Sequence, residues 1–369
     1  MTYDFAVIGA GIAGASLSAQ LAQTARVQLI EAETQPGYHS TGRSAAVYDP
    51  HYGPPQIRAL TRAALAFFQS PPPGFADAPL LTPRPALTIA RADQMDGLRA
   101  MAAETGGTLL DAQETQARFP LLRPGYASGG LWLTTCHDID VHALLQGYLA
   151  QLRARGGHLV CKAPVTGLRR DAGQWTLHTP QSDHQARVIV NAAGAWADQI
   201  GAMAGATPIG LQPKRRSALT VDPPSGFAVD TLPMLDDLDQ QFYVKPDAGR
   251  LLISPANADP MPPCDAQPDE MDIALAIDRV QSALNLPIRR IAGKWAGLRS
   301  FVADGEPVVG HDPQVPGLFW CAAQGGYGIQ TAPALARLAA ALILDQPRPA
   351  DLMHHGVAPD QLALARLLP

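Results

Sequence analysis

The chain has 369 residues, 47% hydrophobic and 17% charged, with 33 glycines, 34 prolines and a formal net charge of −5. That length exceeds one typical hydrophobic core and implies two domains. The mild acidity excludes the basic footprint of a nucleic-acid binder, and no apolar run reaches the length of a membrane span. Four cysteines (Cys136, Cys161, Cys264, Cys321) lie far apart without a C-x-x-C pair. They read as reduced thiols of a cytoplasmic protein, not as a disulfide framework. No basic stretch precedes Asp4, so a secretory signal is not expected. No His/Cys cluster has metal-ligand spacing, His354-His355 read as solvated, and no metal is expected.

In chain order, Phe5–Ile8 is a short buried strand, Ile12–Ala25 a helix, and Arg26–Ile30 a second strand. Between the first two stand Gly9, Gly11 and Gly14 in the spacing G-x-G-x-x-G, with Ala13 inside it. Gly9 permits the tight turn, Gly11 admits a pyrophosphate to the backbone, and Gly14 lets helix and sheet pack closely. The helix N-terminus offers free N–H groups to phosphate. Glu31, 22 residues after Gly9, closes the second strand, where a carboxylate accepts from a ribose. Strand, turn, helix, strand and acid in this order indicate a dinucleotide site.

Farther along, Gln56–Gln69 is an amphipathic helix, and His142–Arg153 is another, capped by Asp140. Short β segments follow at His158–Lys162, Gln174–His178 and Ala186–Asn191. Phe242–Val244 and Leu251–Ser254 flank Asp247-Ala-Gly249, a hairpin signature. The chain closes with a strand at Leu318–Ala322, a Gly-rich turn and a helix from about Ala332 to Leu344. Ser70-Pro-Pro-Pro-Gly74 and Asp259-Pro-Met-Pro-Pro263 punctuate loops, and no internal repeat is present. Strands pair with helices at both ends, with β-rich material between them. The expected fold is α/β: a Rossmann-like nucleotide domain built from separated segments, plus a β-rich substrate domain. Residues 1–78, 137–200 and 300–369 are assigned to the first, and 79–136 and 201–299 to the second.

Three further segments carry a family resemblance. Val188-Ile-Val-Asn-Ala-Ala-Gly-Ala-Trp196 resembles the second cofactor-contacting turn of flavin-dependent amine and amino-acid oxidoreductases. His39-Ser-Thr-Gly-Arg-Ser-Ala45 resembles the loop beside the flavin in that family, and Gln324-Gly-Gly-Tyr-Gly-Ile-Gln330 its C-terminal flavin loop. The chain is similar to the glycine/sarcosine oxidase-like D-amino acid oxidases and dehydrogenases, nearest the bacterial D-arginine dehydrogenases. GYHSTGRSAA, LQPKRRSA, KPDAG, SPANADP, WAGLRSFVADG and AAQGGYGIQT carry that likeness. It implies non-covalent FAD, because Trp295-Ala-Gly-Leu-Arg299 lacks the linking cysteine of sarcosine oxidases. It places Gly9, Gly11, Ala13, Gly14, Glu31, Thr41, Gly42, Arg43, Ser44, Ala193 and Gly194 at the cofactor. Gly325, Gly326, Tyr327, Gly328, Ile329 and Gln330 join them from the C-terminal loop, whose N–H groups and helix dipole suit a reduced flavin's negative charge. Val165, in a strand after Pro164, is implied to meet the adenine.

A substrate carboxylate beside a flavin calls for bidentate arginine. The resemblance implies Arg216 and Arg299 in that role, Tyr243 adding a phenolic hydrogen bond, Tyr52 on a lid loop, and Gly326 against the substrate. The side-chain pocket falls to Val47, Asp49, Ala86, Met234 and Asp236. Ala86 stands where the D-arginine enzymes have a glutamate, Val47 where they have a histidine, and Asp49 where they have a threonine. Neutral or apolar D-amino acids are therefore expected over D-arginine, with Asp49 or Asp236 as the alternative partners for a D-arginine or D-lysine cation. The implied reaction is hydride transfer from Cα to flavin N5, giving an imino acid that hydrolyses to a 2-oxo acid and ammonia. No side chain reads as an obvious general base. Quinone, another acceptor or O2 reoxidises the flavin. The rival readings are an N-methyl amino-acid or glycine oxidase, a 2-hydroxy-acid dehydrogenase, and a flavoprotein subunit that oxidises no amino acid.

Overall fold

The computed structural model describes residues 2–367. Its first strand, Thr2–Ile8, is parallel to Val27–Ile30 on one side and to Asp183–Asn191 on the other. Apolar β-branched residues on both of its faces (Val7, Ile8 and neighbours) are what a central parallel strand requires. The sheet extends outward to His158–Val160, and in the other direction to the antiparallel pair Gln174–His178 and Gly167–Asp171. Leu318–Ala322 joins Asp183–Asn191 in parallel and carries Val308–His311 at its edge. Eight strands result.

Four helices pack against one face: Ile12–Leu21, Pro55–Gln69, Val141–Ala154 and Gly328–Ile343. The first helix ends sooner than its apolar pattern implied. Residues Ala22 to Ala25 continue as turns, with Thr24 N and Ala25 N both donating to Leu21 O, before the next strand begins. The last helix starts a full turn earlier than expected. It enters at Gly328, and Pro333 lies inside it. Asp140 caps Val141–Ala154 as expected, its Oδ1 accepting from Ala143 N at 2.8 Å.

A nine-stranded sheet forms the second layer system: Asp259–Pro260, Gln212–Val221, Arg250–Ser254, Tyr243–Asp247, Met234–Asp237, Ala86–Ala90, Gly129–Leu133 and Thr108–Asp111 in order, with Gly293–Phe301 pairing along Gln212–Val221. The hairpin turn places Ala248 and Gly249 at φ 49° and 76°, the left-handed pair that matches strand twist. Helix Glu270–Ala283 covers the far face with an independent core around Leu219, Phe242, Val244 and Ile253. A small sheet (Val47–Tyr48, His137–Ile139, Leu81–Pro83) stands beside the two large ones. The chain has the mixed α/β, two-domain architecture expected from its sequence. No helix of the described residues is long and apolar enough to cross a membrane, and no cluster of three potential metal ligands occurs among them.

Candidate functional site

One face of the nine-stranded sheet and the mouth of the eight-stranded sheet enclose a cavity of about 650 Å3. Its long arm runs along the glycine turn. Gly9 adopts φ 101°, and a Cβ there would lie 2.5 Å from Ala192 O, so no other residue fits. Gly14 does not reach the cavity. A Cβ on it would sit 1.9 Å from Gly9 O, which is the close helix-to-turn packing its position implied. Glu31 is buried, accepting from Ala10 N at 2.8 Å and Glu33 N at 2.9 Å, with its side chain on the cavity wall. Ala13, Ala193, Gly194 and Val165 line the same arm. Val165 does so from a connection after His158–Val160, not from a strand, because regular pairing resumes only at Gly167.

The loop 37–46 crosses between the sheets. Thr41 Oγ1 accepts from Ile12 N at 3.0 Å, at the start of the first helix. Gly42 is turned away from the cavity; a Cβ there would strike Gly37 O at 2.6 Å. Arg43 and Ser44 line the cavity. The Arg43 guanidinium is committed elsewhere, donating to Ala266 O at 2.9 Å and Ala296 O at 3.0 Å and pairing with Asp265. It stitches this loop to the second sheet.

The C-terminal loop closes the other side. Gly325 N donates to Ser300 O at 2.9 Å, and a Cβ at Gly326 would fall 1.8 Å from Arg299 Nη2. The backbone at Gly326 is thus pressed against the guanidinium. Gly328, Ile329 and Gln330 line the cavity from the first turn of the last helix. Tyr327 does not. It lies behind, edge-on to Tyr52 at 5.0 Å and beneath Arg299, 5.7 Å from its guanidinium carbon. Gln330 Oε1 accepts from Asp49 N at 2.9 Å, while its Nε2 is buried without a partner. An orphaned donor on the wall, two helix N-termini and a backbone stripped of Cβ atoms at Gly9, Gly325 and Gly326 fit a dinucleotide with a polar ring system.

The short arm is built by sheet register. Arg216 pairs with Gly297, and Lys214 with Arg299, so both arginines project from one face. Arg299 Nη2 donates to Tyr52 Oη at 3.0 Å, and Arg216 Nε donates to Asn257 O at 2.6 Å. Burial and the like charge of Arg299 lower the pKa of Arg216. No carboxylate is among the groups acting on either. Two partly desolvated guanidiniums facing a cavity without an acid between them make an anion site. Tyr243 shares the face, two strands from Arg216.

Beyond Tyr243 the wall changes character. Asp236 stands directly opposite Tyr243 on the next strand, and Met234 opposite Ala86. Val47 and Asp49 enter from the strand Val47–Tyr48 and the loop after it. Burial and then the neighbouring charge of Asp49 push Asp236 up to about 7. Asp49 is raised as well, by burial. Among the members of this wall that sequence reasoning missed are Thr88, Leu133 and Cys136. Alternation along Ala86–Ala90, with Ala86 already placed in the pocket, marks Thr88 as facing the same way. Nothing local marks Cys136. Burial, Asp49 and Asp236 raise its pKa, so it stays a thiol. A protonated thiol is a poor nucleophile, which accords with a cofactor held without a covalent link.

Residues 4–342 match the family described as FAD dependent oxidoreductase (DAO). Human mitochondrial dimethylglycine dehydrogenase is 28% identical over 265 residues, covering 66% of this chain and 30% of that protein. Glycine oxidase of Bacillus subtilis (strain 168) is 26% identical over 241 residues, covering 62% of each. The matched stretch therefore spans 30% to 62% of the length of these curated relatives. The crystal structure of glycine oxidase from Geobacillus kaustophilus superposes with a TM-score of 0.79 at 22% identity, over 94% of this chain and 95% of that one.

Proposed function

The chain belongs to the family of FAD dependent oxidoreductases, and from that premise we propose that it oxidises the Cα–N bond of a D-amino acid. Residues 1–78, 137–200 and 300–369 form the FAD-binding part in this reading, and 79–136 and 201–299 the substrate-binding part. The glycine turn, Glu31, Thr41 and the stretch Gly325–Gln330 hold the cofactor. The observation that carries the reading is the Arg216–Arg299 pair, without a carboxylate partner and with Arg299 against the Gly326 backbone. An α-carboxylate is the ligand this pair asks for, and Tyr52 and Tyr243 supply phenolic donors around it.

FAD, when bound, supplies the two-electron acceptor for the hydride that leaves Cα. The chain's own contribution is orientation. Fixing the carboxylate on two guanidiniums restricts rotation about the Cα axis, which is catalysis by proximity. Tyr52 lines the short arm and is held there by accepting from Arg299 Nη2. As Cα loses its hydride, the nitrogen lone pair forms the C=N bond, so the amine reacts in its neutral form. Water then attacks the imino carbon, releasing ammonia and a 2-oxo acid. A quinone, another acceptor or O2 completes the cycle.

Val47, Ala86, Met234 and Leu133 make most of the side-chain wall apolar, which favours neutral or apolar side chains over D-arginine. Asp49 and Asp236 on the same wall favour a second reading, a D-arginine or D-lysine dehydrogenase. Steady-state constants for D-Leu, D-Met, D-Phe, D-Lys and D-Arg test the assignment. A preference for D-Arg of more than about tenfold overturns the apolar reading, since tenfold is the discrimination about one buried methylene supplies. Oxidation of sarcosine or glycine in place of every D-amino acid overturns both.

A further inference from the structure

We infer that Asp49 and Asp236 hold a single proton between them, and that this proton decides whether the pocket takes a neutral side chain or one ending in an ammonium or guanidinium. The inference rests on the deamination reading and extends it to selectivity.

The geometry carries the argument. Asp236 lies between Thr88 and Tyr243 across three paired strands, so its carboxylate projects from the same face as Arg216 and Arg299. Arg216 is three strands away, roughly 14 Å along the sheet at ~4.8 Å per strand. A substrate whose carboxylate sits on the arginines therefore sends a long side chain toward Asp236. Asp49 lines the same cavity from the segment after Val47–Tyr48, and when ionised its negative charge raises the proton affinity of Asp236 by like-charge repulsion.

The neighbours leave Asp236 without a fixed cation of its own. Asp237 points to the other side, where Arg91 binds it at 3.1 Å. Cys136 is held as a neutral thiol. His51, from the loop that carries Asp49, and Arg58, from helix Pro55–Gln69, act on Asp49. No cation acts on Asp236. The charge-neutral wall around the pair (Val47, Ala86, Met234) cannot solvate two carboxylates, which is why one of them keeps its proton. With the proton present, the pocket offers a hydroxyl donor among apolar groups and suits a neutral side chain. Without it, a side-chain cation completes the charge balance.

The test is the ratio of kcat/KM for D-arginine to that for D-methionine, measured from pH 6 to pH 8.5. Both substrates share the α-amine, the carboxylate anchor and the flavin, so these cancel in the ratio. The ratio is expected to rise about tenfold between pH 6 and pH 8, the span of one titration centred near 7. Asp236→Asn is expected to lower the D-arginine constant at least tenfold more than the D-methionine constant, and to flatten the ratio. Asp49→Asn is expected to shift the rise to lower pH by removing the repulsion. A ratio constant within twofold across this range, in an enzyme that oxidises either substrate, overturns the shared proton and leaves the deamination reading standing. Flavin reduced by neither amino acid overturns that reading, and the pair's role with it.

Discussion

Arg216 and Arg299 are diagonal neighbours on two antiparallel strands, separated in the chain by 82 residues and joined only by the register that sets Arg216 against Gly297. Gly297 has no side chain, and the space its Cβ would take is filled by the aliphatic stem of Arg43, whose Cβ lies 3.3 Å from that position. Asn257 O accepts from Arg216 Nε and Tyr52 Oη accepts from Arg299 Nη2, and each guanidinium keeps further N–H donors.

Removing either arginine separates substrate capture from cofactor binding. Arg216→Met and Arg299→Met are each expected to raise the KM for a D-amino acid roughly 30- to 150-fold, the equivalent of about 2–3 kcal/mol of charge-assisted hydrogen bonding. Flavin absorbance per protein is expected to stay at the parent level. Loss of colour in either variant contradicts the division of labour.

The glycines separate along the same line. Gly326→Ala places a methyl group within 2 Å of the Arg299 guanidinium, so it is expected to impair substrate capture while FAD remains bound. Gly11→Val fills the space beside Thr41 at the phosphate turn and is expected to abolish flavin binding. Absorbance at the flavin maximum after gel filtration checks both.

Asp236 has a consequence for stability. Its folded-state pKa is raised from 3.8 to about 7, so the folded protein prefers the protonated form. The group's stabilising contribution is fully present below its unfolded pKa and is lost as pH rises through about 7. Asp236→Asn is therefore expected to raise Tm most at pH 8 and least near pH 4. A larger gain at pH 4 than at pH 8 contradicts the assignment.

Turnover is expected to rise with pH toward a plateau as the substrate amine loses its proton. Pre-steady-state flavin reduction measures this directly. A rate flat from about pH 6 to 10 contradicts the requirement for a neutral amine.

Cys136 remains a thiol inside the cavity, and the stretch Trp295–Arg299 carries no cysteine. Acid precipitation is expected to release all of the flavin into the supernatant. Yellow colour retained in the pellet contradicts non-covalent binding.

Legibility in the sequence followed the range of each interaction. Gly9, Gly11, Gly14 and Glu31 act within one strand–helix–strand unit, so their spacing announced the cofactor site without a fold. Asp140 was readable as a cap for the same reason. Arg216, Arg299, Tyr52 and Tyr243 come from distant strands and loops, and only a family resemblance grouped them. Register, which no local pattern encodes, puts Arg216, Arg299 and Tyr243 on one face, and a loop brings Tyr52 to Arg299. Asp236 and Asp49 were both visible as pocket residues. Their mutual repulsion was not, because it depends on a burial that two separate sheets create. The helix Glu270–Ala283 went unassigned, although Asp269 with Glu270 and Asp272 behind it is a readable N-terminal signal. The last helix begins a turn before its sequence pattern implies, because Gln324–Gln330 reads as a glycine loop while Gly328 already adopts helical geometry.

Anaerobic mixing of the yellow protein with single amino acids of either hand, followed at the flavin absorbance maximum, tests the central claim most directly. Rapid bleaching by one or more D-amino acids, with the L-enantiomers slower by at least a hundredfold, is the expected result. Equal bleaching by both hands, or none by any amino acid, contradicts the account.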